Sequence, residues 1–285
     1  MRRGFFLLLL CILIITSCST PPKNPGNIYD IRRQAEQQLS QGNKQADRGN
    51  PENALKELNE AMRLAVITDD QSLRIRCRLS RGNVLFLLGR SDEAFADWND
   101  ALAEAEQLAN NTLSAVSRIH IERGKLLSPD GKSSAQQVRD AVTRDLGAIK
   151  SERFYTAFAW MVIAQAEKEL GRYSNAEAAI RHSLEIHEKD SFFELAAYDW
   201  FMIASCRSLA ADFRGAQQAL ENAIDFDRRV ENSWGLASDW RALGDVYTKS
   251  NDLNSARAAY NRSAEIFRAL GNEAAAAAVL SKLEN

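Results

Sequence analysis

The sequence predicts an all-α solenoid of about six antiparallel helix pairs, closed by a C-terminal capping helix. Self-similarity at a fixed period of 20–50 residues is typical of such repeat architectures. Tryptophans recur at a spacing of 40 residues, and small residues follow each of them at two fixed offsets. The three sets are Trp160, Trp200 and Trp240; Ala164, Ala204 and Gly244; and Ala176, Ala216 and Ala256.

Composition limits the classes of protein that the chain could belong to. The 285 residues are 45% hydrophobic and include only 14 glycines and 5 prolines, too few for a β-rich or disordered chain. The formal net charge is −2, which argues against nucleic acid as a partner because such binding needs a basic surface. We therefore expect a helical chain that folds one repeat at a time.

The first residues are typical of an export signal. Arg2 and Arg3 precede the apolar run 5–15, which is shorter than the ~20 residues of a membrane span but fits a secretory signal peptide. The following residues 15–18, Ile-Thr-Ser-Cys, resemble the bacterial lipobox, which implies cleavage before Cys18 and its lipidation. Ordinary secretion with an unrelated cysteine is the alternative. The resemblance also implies that Ser19, following the cysteine, favours transfer to the outer membrane, facing the periplasm, if the envelope has two membranes.

These features divide the chain into four parts. We expect a lipoprotein signal peptide over 1–17, a lipidated cysteine and proline-containing tether over 18–28, a repeat array over 29–271, and a capping helix over 272–285. The tether would hold the folded array away from the membrane.

Six repeats can be aligned along the array. Small residues allow the two helices of a pair to approach closely, and a glycine in the turn between them suits a left-handed helix end. The first helix carries Gly42, Gly82, Gly124, Ala164, Ala204 and Gly244; the second carries Ala54, Ala94, Ala135, Ala176, Ala216 and Ala256; the turn carries Gly49, Gly89, Gly131, Gly171, Ala211 and Asn251. We expect a different helix end at Ala211, and a weak third repeat.

The sharpest copy, Trp240-Arg-Ala-Leu-Gly-Asp-Val-Tyr247 followed by Ala256 and Tyr260, resembles the tetratricopeptide repeat. The resemblance covers about residues 31–270. The period departs from the family's 34 residues, and the family's closing proline is missing. The resemblance implies a protein-binding scaffold whose first helices line a concave groove.

No catalytic or metal-binding constellation is found in the sequence. The chain has three histidines, lacks the motifs of zinc proteases, serine hydrolases and nucleotide-binding loops, and suggests no cofactor. We predict that it is not an enzyme. Cys77 and Cys206 lie three repeats apart, so buried free thiols are expected, with an intermolecular disulfide as the alternative.

The family resemblance also implies a set of groove residues. Asparagines of the groove contact the backbone of a bound peptide in family members, and basic residues hold its carboxylates. A generic solvated face is the alternative for any one residue. The residues predicted to line the groove are Asn43, Arg76, Asn83, Phe86, Arg118, Lys125, Phe158, Tyr198 and Phe201.

Three functions follow from this interpretation. The first is a membrane-anchored adaptor that binds a protein or peptide partner of the cell envelope in its groove. The second is a structural or accessory subunit of an envelope assembly or transport complex, which uses its outer face or its ends. The third, an enzyme, is disfavoured by the missing constellation. The sequence leaves the partner open, and also whether the protein forms a homo-oligomer.

Overall fold

A computed structural model describes residues 27–283, which form thirteen α-helices and a closing 3-10 turn. Cys18, the predicted signal peptide and most of the tether lie outside the described residues. The first helix begins at Asn27, two residues before the predicted start of the array. The helices are α1 Asn27–Asp47, α2 Pro51–Ile67, α3 Gln71–Leu87, α4 Ser91–Gln107, α5 Asn111–Leu127, α6 Gly131–Ile149, α7 Arg153–Glu169, α8 Tyr173–Lys189, α9 Phe193–Leu209, α10 Phe213–Arg229, α11 Ser233–Lys249, α12 Leu253–Ala269 and α13 Glu273–Leu280.

Consecutive helices pack against each other along the chain, as predicted for a solenoid of helix pairs. The small residues lie where neighbouring helices approach: Ala54, Ala94 and Ala176 are fully buried, and Gly42 faces Leu58 of its own pair. A Cβ atom on Gly244 would lie 2.5 Å from the Tyr260 ring, so a larger residue could not replace it without a shift of that ring. The spacing of small residues therefore reports close helix packing.

Most helices end in one residue with a left-handed backbone. This conformation occurs at Gly49, Gly89 and Gly171, as expected, and it also occurs at Ala211 and Asn251. The prediction of a different helix end at Ala211 was therefore wrong. The backbone geometry is set by the hydrogen bonds that close the helix, such as the amide of residue 212 to the carbonyl of residue 207. Any residue can form these bonds, although the left-handed region costs a residue with a Cβ atom some conformational energy.

The third repeat departs from the predicted alignment. Gly131 begins α6 instead of ending α5, and α6 has 19 residues where the other second helices have 17. Gly124 faces Trp98 of the preceding repeat, whereas Gly82 faces Trp98 of its own repeat. Gly124 is therefore not the equivalent of Gly82, and the alignment of α5 must be moved by two residues, which places Glu122 at the close-approach position.

The C-terminal end of the array is covered by α13. Ala276 and Val279 are buried against the sixth repeat, in a small cluster with Phe267 and Tyr260. The sequence predicted this capping role from the run of alanines. Within residues 27–283, none of the helices combines the length and apolarity that crossing a bilayer requires.

Candidate functional site

The odd-numbered helices line the concave side of the array. Contacts between next-but-one helices are more extensive for α1 with α3, α3 with α5, α5 with α7, and α9 with α11 than for any two even-numbered helices. Helices on the inside of a curved stack lie closer together than those on the outside. We call this concave surface the groove.

Side chains from helices two repeats apart approach each other across the groove. Arg76 of α3 acts electrostatically on the hydroxyl of Tyr155 in α7, and Tyr198 of α9 acts on the guanidinium of Arg123 in α5. Burial is the largest effect on each of these groups: it raises the pKa of Tyr155 and lowers the pKa of Arg123. These side chains therefore face the same groove, where neighbouring protein covers each of them in part.

Arg123 is a cation of the groove that lacks a counter-charge. Its side chain is half-buried, and within residues 27–283 no carboxylate lies at ion-pair distance from its guanidinium. Burial lowers the pKa of Arg123, which means that the folded protein disfavours the charged form that the residue nevertheless carries. A half-buried guanidinium with unused donors is a suitable contact for an anionic group of a ligand.

The three predicted basic residues have carboxylate neighbours instead. Arg118 makes a two-pronged ion pair with Asp145 of α6, with a shortest distance of 2.7 Å. Lys125 lies 2.6 Å from Glu122 on its own helix, and Arg76 lies 3.5 Å from Glu36 of α1. The two-residue change in the alignment of α5 explains the first two cases. The residues of α5 that match Arg76 and Asn83 are Val116 and Arg123, and neither was predicted.

Asn83 and Phe158 lie on either side of a buried histidine. The Nδ1 atom of His120 is 2.9 Å from the side-chain oxygen of Asn83, and its ring stacks on Phe158 with centroids 4.5 Å apart. Burial, followed by the charge of Arg123, lowers the pKa of His120 to about 3, so the imidazole is neutral and Nδ1–H donates to Asn83. Asn83 therefore keeps its amide NH₂ group and one acceptor site of its oxygen for a ligand.

The other predicted groove residues differ in their exposure to solvent. Asn43 and Tyr198 are exposed, and the Tyr198 ring stacks on Phe201 at a centroid distance of 6.3 Å. Phe86 packs on Trp98 and Phe95, with centroids 5.8 Å and 6.4 Å away, so it belongs to the wall beneath the groove. The structure thus leaves a polar and aromatic surface around Arg123, and Phe86 contributes to its support.

Gln165 is a further polar residue of the groove, at a position that the family resemblance also implies. It occupies the position in α7 that Asn83 occupies in α3, and its side-chain oxygen is buried without a hydrogen-bond partner among the described residues. The amides and cations at this position are Asn43, Asn83, Arg123 and Gln165.

A serine, a histidine and an aspartate meet in the structure, yet their geometry is that of a packing contact. His187 Nδ1 lies 2.7 Å from Asp199 Oδ2, and Ser183 Oγ lies 3.1 Å from Asp199 Oδ1. Both neighbours of His187 are on the same ring nitrogen, and all three side chains are buried between α8 and α9. A nucleophilic triad needs the two imidazole nitrogens to face different partners. This trio therefore joins two repeats.

The two cysteines of the array are also buried. Cys77 and Cys206 are free and buried, and burial raises the pKa of their thiols to about 12 and about 11, respectively. Such thiols are poor nucleophiles because they stay protonated. Within the part of the chain that the structure describes, no group of three or more histidine, cysteine and acidic residues is placed to hold a metal ion.

Comparison with known proteins supports the predicted repeat type. The family model described as tetratricopeptide repeat matches residues 159–190 and 240–270, which correspond to most of α7 with α8 and of α11 with α12. A search of curated proteins finds no match. Two segments of this all-α solenoid thus match the tetratricopeptide repeat model.

Solved structures share this fold over most of the chain. A Rap protein complexed with Competence and Sporulation Factor has 14% sequence identity and a TM-score of 0.62, over 88% of this chain and 74% of that one. The apo form of RapI has 15% identity and a TM-score of 0.58, over 84% and 85% of the two chains. BtubC from P. vanneervenii has 15% identity and a TM-score of 0.57, over 83% and 92%. At these identities the likeness concerns the fold alone.

Proposed function

We propose that this protein is a membrane-anchored adaptor of the bacterial cell envelope, which binds an extended, anionic segment of a protein partner in its groove. The observation that carries the proposal is Arg123, a half-buried guanidinium that no carboxylate of the described chain neutralises. A carboxylate of the partner would supply the missing charge. Charge-assisted hydrogen bonds of this kind are among the stronger contacts in protein recognition.

The surroundings of Arg123 suit an extended peptide. Tyr198 and Phe158 offer aromatic surface, while Asn43, Asn83 and Gln165 offer amide groups that can pair with a peptide backbone. The fold agrees with this use, because a similar solenoid, a Rap protein, was crystallised in complex with Competence and Sporulation Factor. The proposal involves no cofactor and no nucleic acid.

We expect Arg123→Ala to reduce partner capture about tenfold or more, since hydrogen bonds to charged groups contribute ~1.5–3 kcal/mol. The full-length protein would carry a photoreactive side chain at position 198 in its native cells, and the yield of cross-linked partner would be measured. Lys125→Ala is the matched control, because Lys125 lies on the same helix but already pairs with Glu122. Circular dichroism should show the same helix content in both variants.

The opposite result would favour the accessory-subunit function. If Arg123→Ala captures as much partner as the original chain, the groove is not the binding surface. A second photoreactive position at Arg257, exposed on α12 of the outer face, then becomes the informative one. Cross-links from Arg257 and none from position 198 would assign recognition to the outer face. Cross-links between two copies of the chain would indicate a homo-oligomer.

The anchor is tested separately. Cys18→Ala should abolish lipidation and leave a precursor that is released from the membrane or remains uncleaved, because the thioether forms only on a cysteine. The measurement is membrane fractionation together with the mass of the N-terminal peptide. Cys77→Ala serves as the control, since that thiol is buried in the array. Unchanged membrane retention and an unchanged N-terminus in Cys18→Ala would refute the lipoprotein assignment.

A further inference from the structure

The first repeat contacts the last two repeats. The turn between α1 and α2 lies against the N-terminal ends of α9 and α11, which are far along the chain. Arg48 lies 3.5 Å from Glu194 of α9, and the Cα of Gly49 lies on the face of the Trp234 indole, so that a Cβ there would be 2.6 Å from the ring. We call this contact the clasp.

Comparison with other turns shows that the clasp is specific to the first repeat. Gly89 and Gly171 occupy the same turn position in later repeats and have the same left-handed backbone as Gly49. A Cβ on either of them would meet nothing within 4 Å, whereas one on Gly49 would enter the Trp234 ring. Gly49 is therefore confined by a distant part of the array as well as by its own backbone.

The contacts of the clasp are weak. Surrounding protein, followed by the negative charge of Glu194, raises the pKa of Asp47 to about 6, although that side chain keeps contact with water. Asp47 and Glu194 repel each other when both are ionised, and the Nε of Arg48 is buried without a hydrogen-bond partner among the described residues. One long ion pair contributes little net stability. Such a contact can open without unfolding either repeat.

We propose that the clasp is a two-state contact that closes the groove into a ring and must open for a partner segment to enter. When it is closed, the first hairpin lies against the fifth and sixth repeats, and the first helix of the fifth repeat, α9, carries Tyr198 and Phe201. The use of the clasp as a gate rests on the proposed binding in the groove; its existence as an opening contact does not. The closed array would then keep a partner segment away from Arg123 until the first hairpin moves away.

Gly49→Asn tests the clasp with the least disturbance. Asn251 already adopts the same left-handed backbone at the equivalent position of the sixth repeat, so asparagine fits the turn and adds a side chain against Trp234. Gly89→Asn is the matched control, because it makes the same backbone substitution in open space. Trp234 also packs on Phe267 at 5.2 Å, which keeps the indole in place when the clasp opens.

The readout is ¹⁹F NMR of the full-length protein in detergent, labelled with fluorotryptophan, with the Trp234 signal assigned by Trp234→Phe. Gly49→Asn should move the Trp234 signal and increase its response to exchange of H₂O for D₂O, and Gly89→Asn should leave both unchanged. An unchanged Trp234 signal in Gly49→Asn, or equal changes in the two variants, overturns the clasp.

Partner capture at position 198 separates the gate from the contact. If the clasp controls entry, Gly49→Asn should capture the partner several-fold faster than Gly89→Asn. Equal rates together with a shifted Trp234 signal would refute the gate while leaving binding in the groove intact. A failure of the proposed function would look different, because no variant, including the original chain, would then capture a partner at this position.

Discussion

Trp98→Ala is expected to destabilise the array by ~3–5 kcal/mol, as large-to-small changes of buried aromatic residues do. Trp98 is fully buried and fills the space beside two glycines, Gly82 of its own repeat and Gly124 of the next. Its indole N–H donates to the carbonyl of Leu79 at 3.2 Å. One side chain therefore joins the second and third repeats, and its removal leaves a cavity that neither glycine can fill.

The measurement is denaturant unfolding together with amide hydrogen exchange. Because repeats couple mainly to their neighbours, exchange should accelerate first in α3, α4 and α5. Trp240→Ala is the matched control: Trp240 is only partly buried, and Arg262 covers its ring at 4.5 Å. We expect Trp240→Ala to lower the free energy of unfolding clearly less than Trp98→Ala does. Equal losses in the two variants, or faster exchange confined to the C-terminal repeats, would contradict the special role of Trp98.

The features that the sequence predicted well depend on local spacing. Close-packed small residues and left-handed turns recur because each pair of helices meets the same steric requirement, so Gly82 and Gly244 could be placed without a structure. The residues of the third repeat could not be placed in this way, for two reasons. Its second helix is two residues longer, and Gly124 imitates the close-approach glycine while it faces the preceding repeat. Sterics alone do not show which neighbour a glycine faces.

One repeated position is not recognisable in every repeat of the sequence, because the type of residue there changes along the array. Trp160 stacks on His182 of the paired helix at 4.4 Å, and Trp240 lies under Arg262 in the same way. The equivalent residue in the second repeat is Arg78, which makes an ion pair with Asp100 at 2.8 Å. A search for repeated aromatic residues misses an arginine that serves the same contact between the same two helices.

The candidate site was predicted less well than the fold, for a physical reason. Groove residues were taken from a family pattern, which gives the position on a helix but not the neighbours across the groove. Arg118 has the expected charge, yet Asp145 neutralises it from another helix. Arg123 matters because a counter-charge is missing, and such an absence appears only when the surrounding helices are in place. The site therefore depends on contacts that no single helix encodes.

Two buried aspartates at equivalent positions have opposite expected effects on stability. Asp199 of α9 accepts a hydrogen bond from His187 at 2.7 Å. Asp239 occupies the same position in α11, but there the residue that corresponds to His187 is Asp227. Burial, followed by the charge of Asp227, raises the pKa of Asp239 to about 9, and one oxygen of Asp239 has no hydrogen-bond partner among the described residues. The same spacing of 12 residues therefore joins a favourable pair in one repeat and two carboxyl groups in the next.

This carboxyl pair should make the C-terminal repeats less stable as the pH rises. Burial also raises the pKa of Asp227, to about 7, with Asn232 opposing that shift. Both groups keep their protons in the folded state at pH values where the unfolded chain, with an aspartate pKa near ~3.9, has lost them. Unfolding therefore releases protons, and the free energy of unfolding falls as the pH rises from about 4 towards the raised pKa values.

Asp239→Asn should accordingly stabilise the protein at pH 8, by ~1–3 kcal/mol or more, because it removes an ionisation that favours the unfolded chain and each unit of pKa shift corresponds to ~1.4 kcal/mol. The advantage should shrink towards pH 5, because the unfolded chain gains less free energy from ionising this aspartate as the pH approaches its ordinary pKa. Asp199→Asn, which weakens the contact with His187, should destabilise the protein by a similar amount. Denaturant unfolding of the three proteins at pH 5 and pH 8 gives the comparison. If both variants shift stability in the same direction, or if Asp239→Asn gains no more at pH 8 than at pH 5, the two aspartates do not form the contrasting pairs described here.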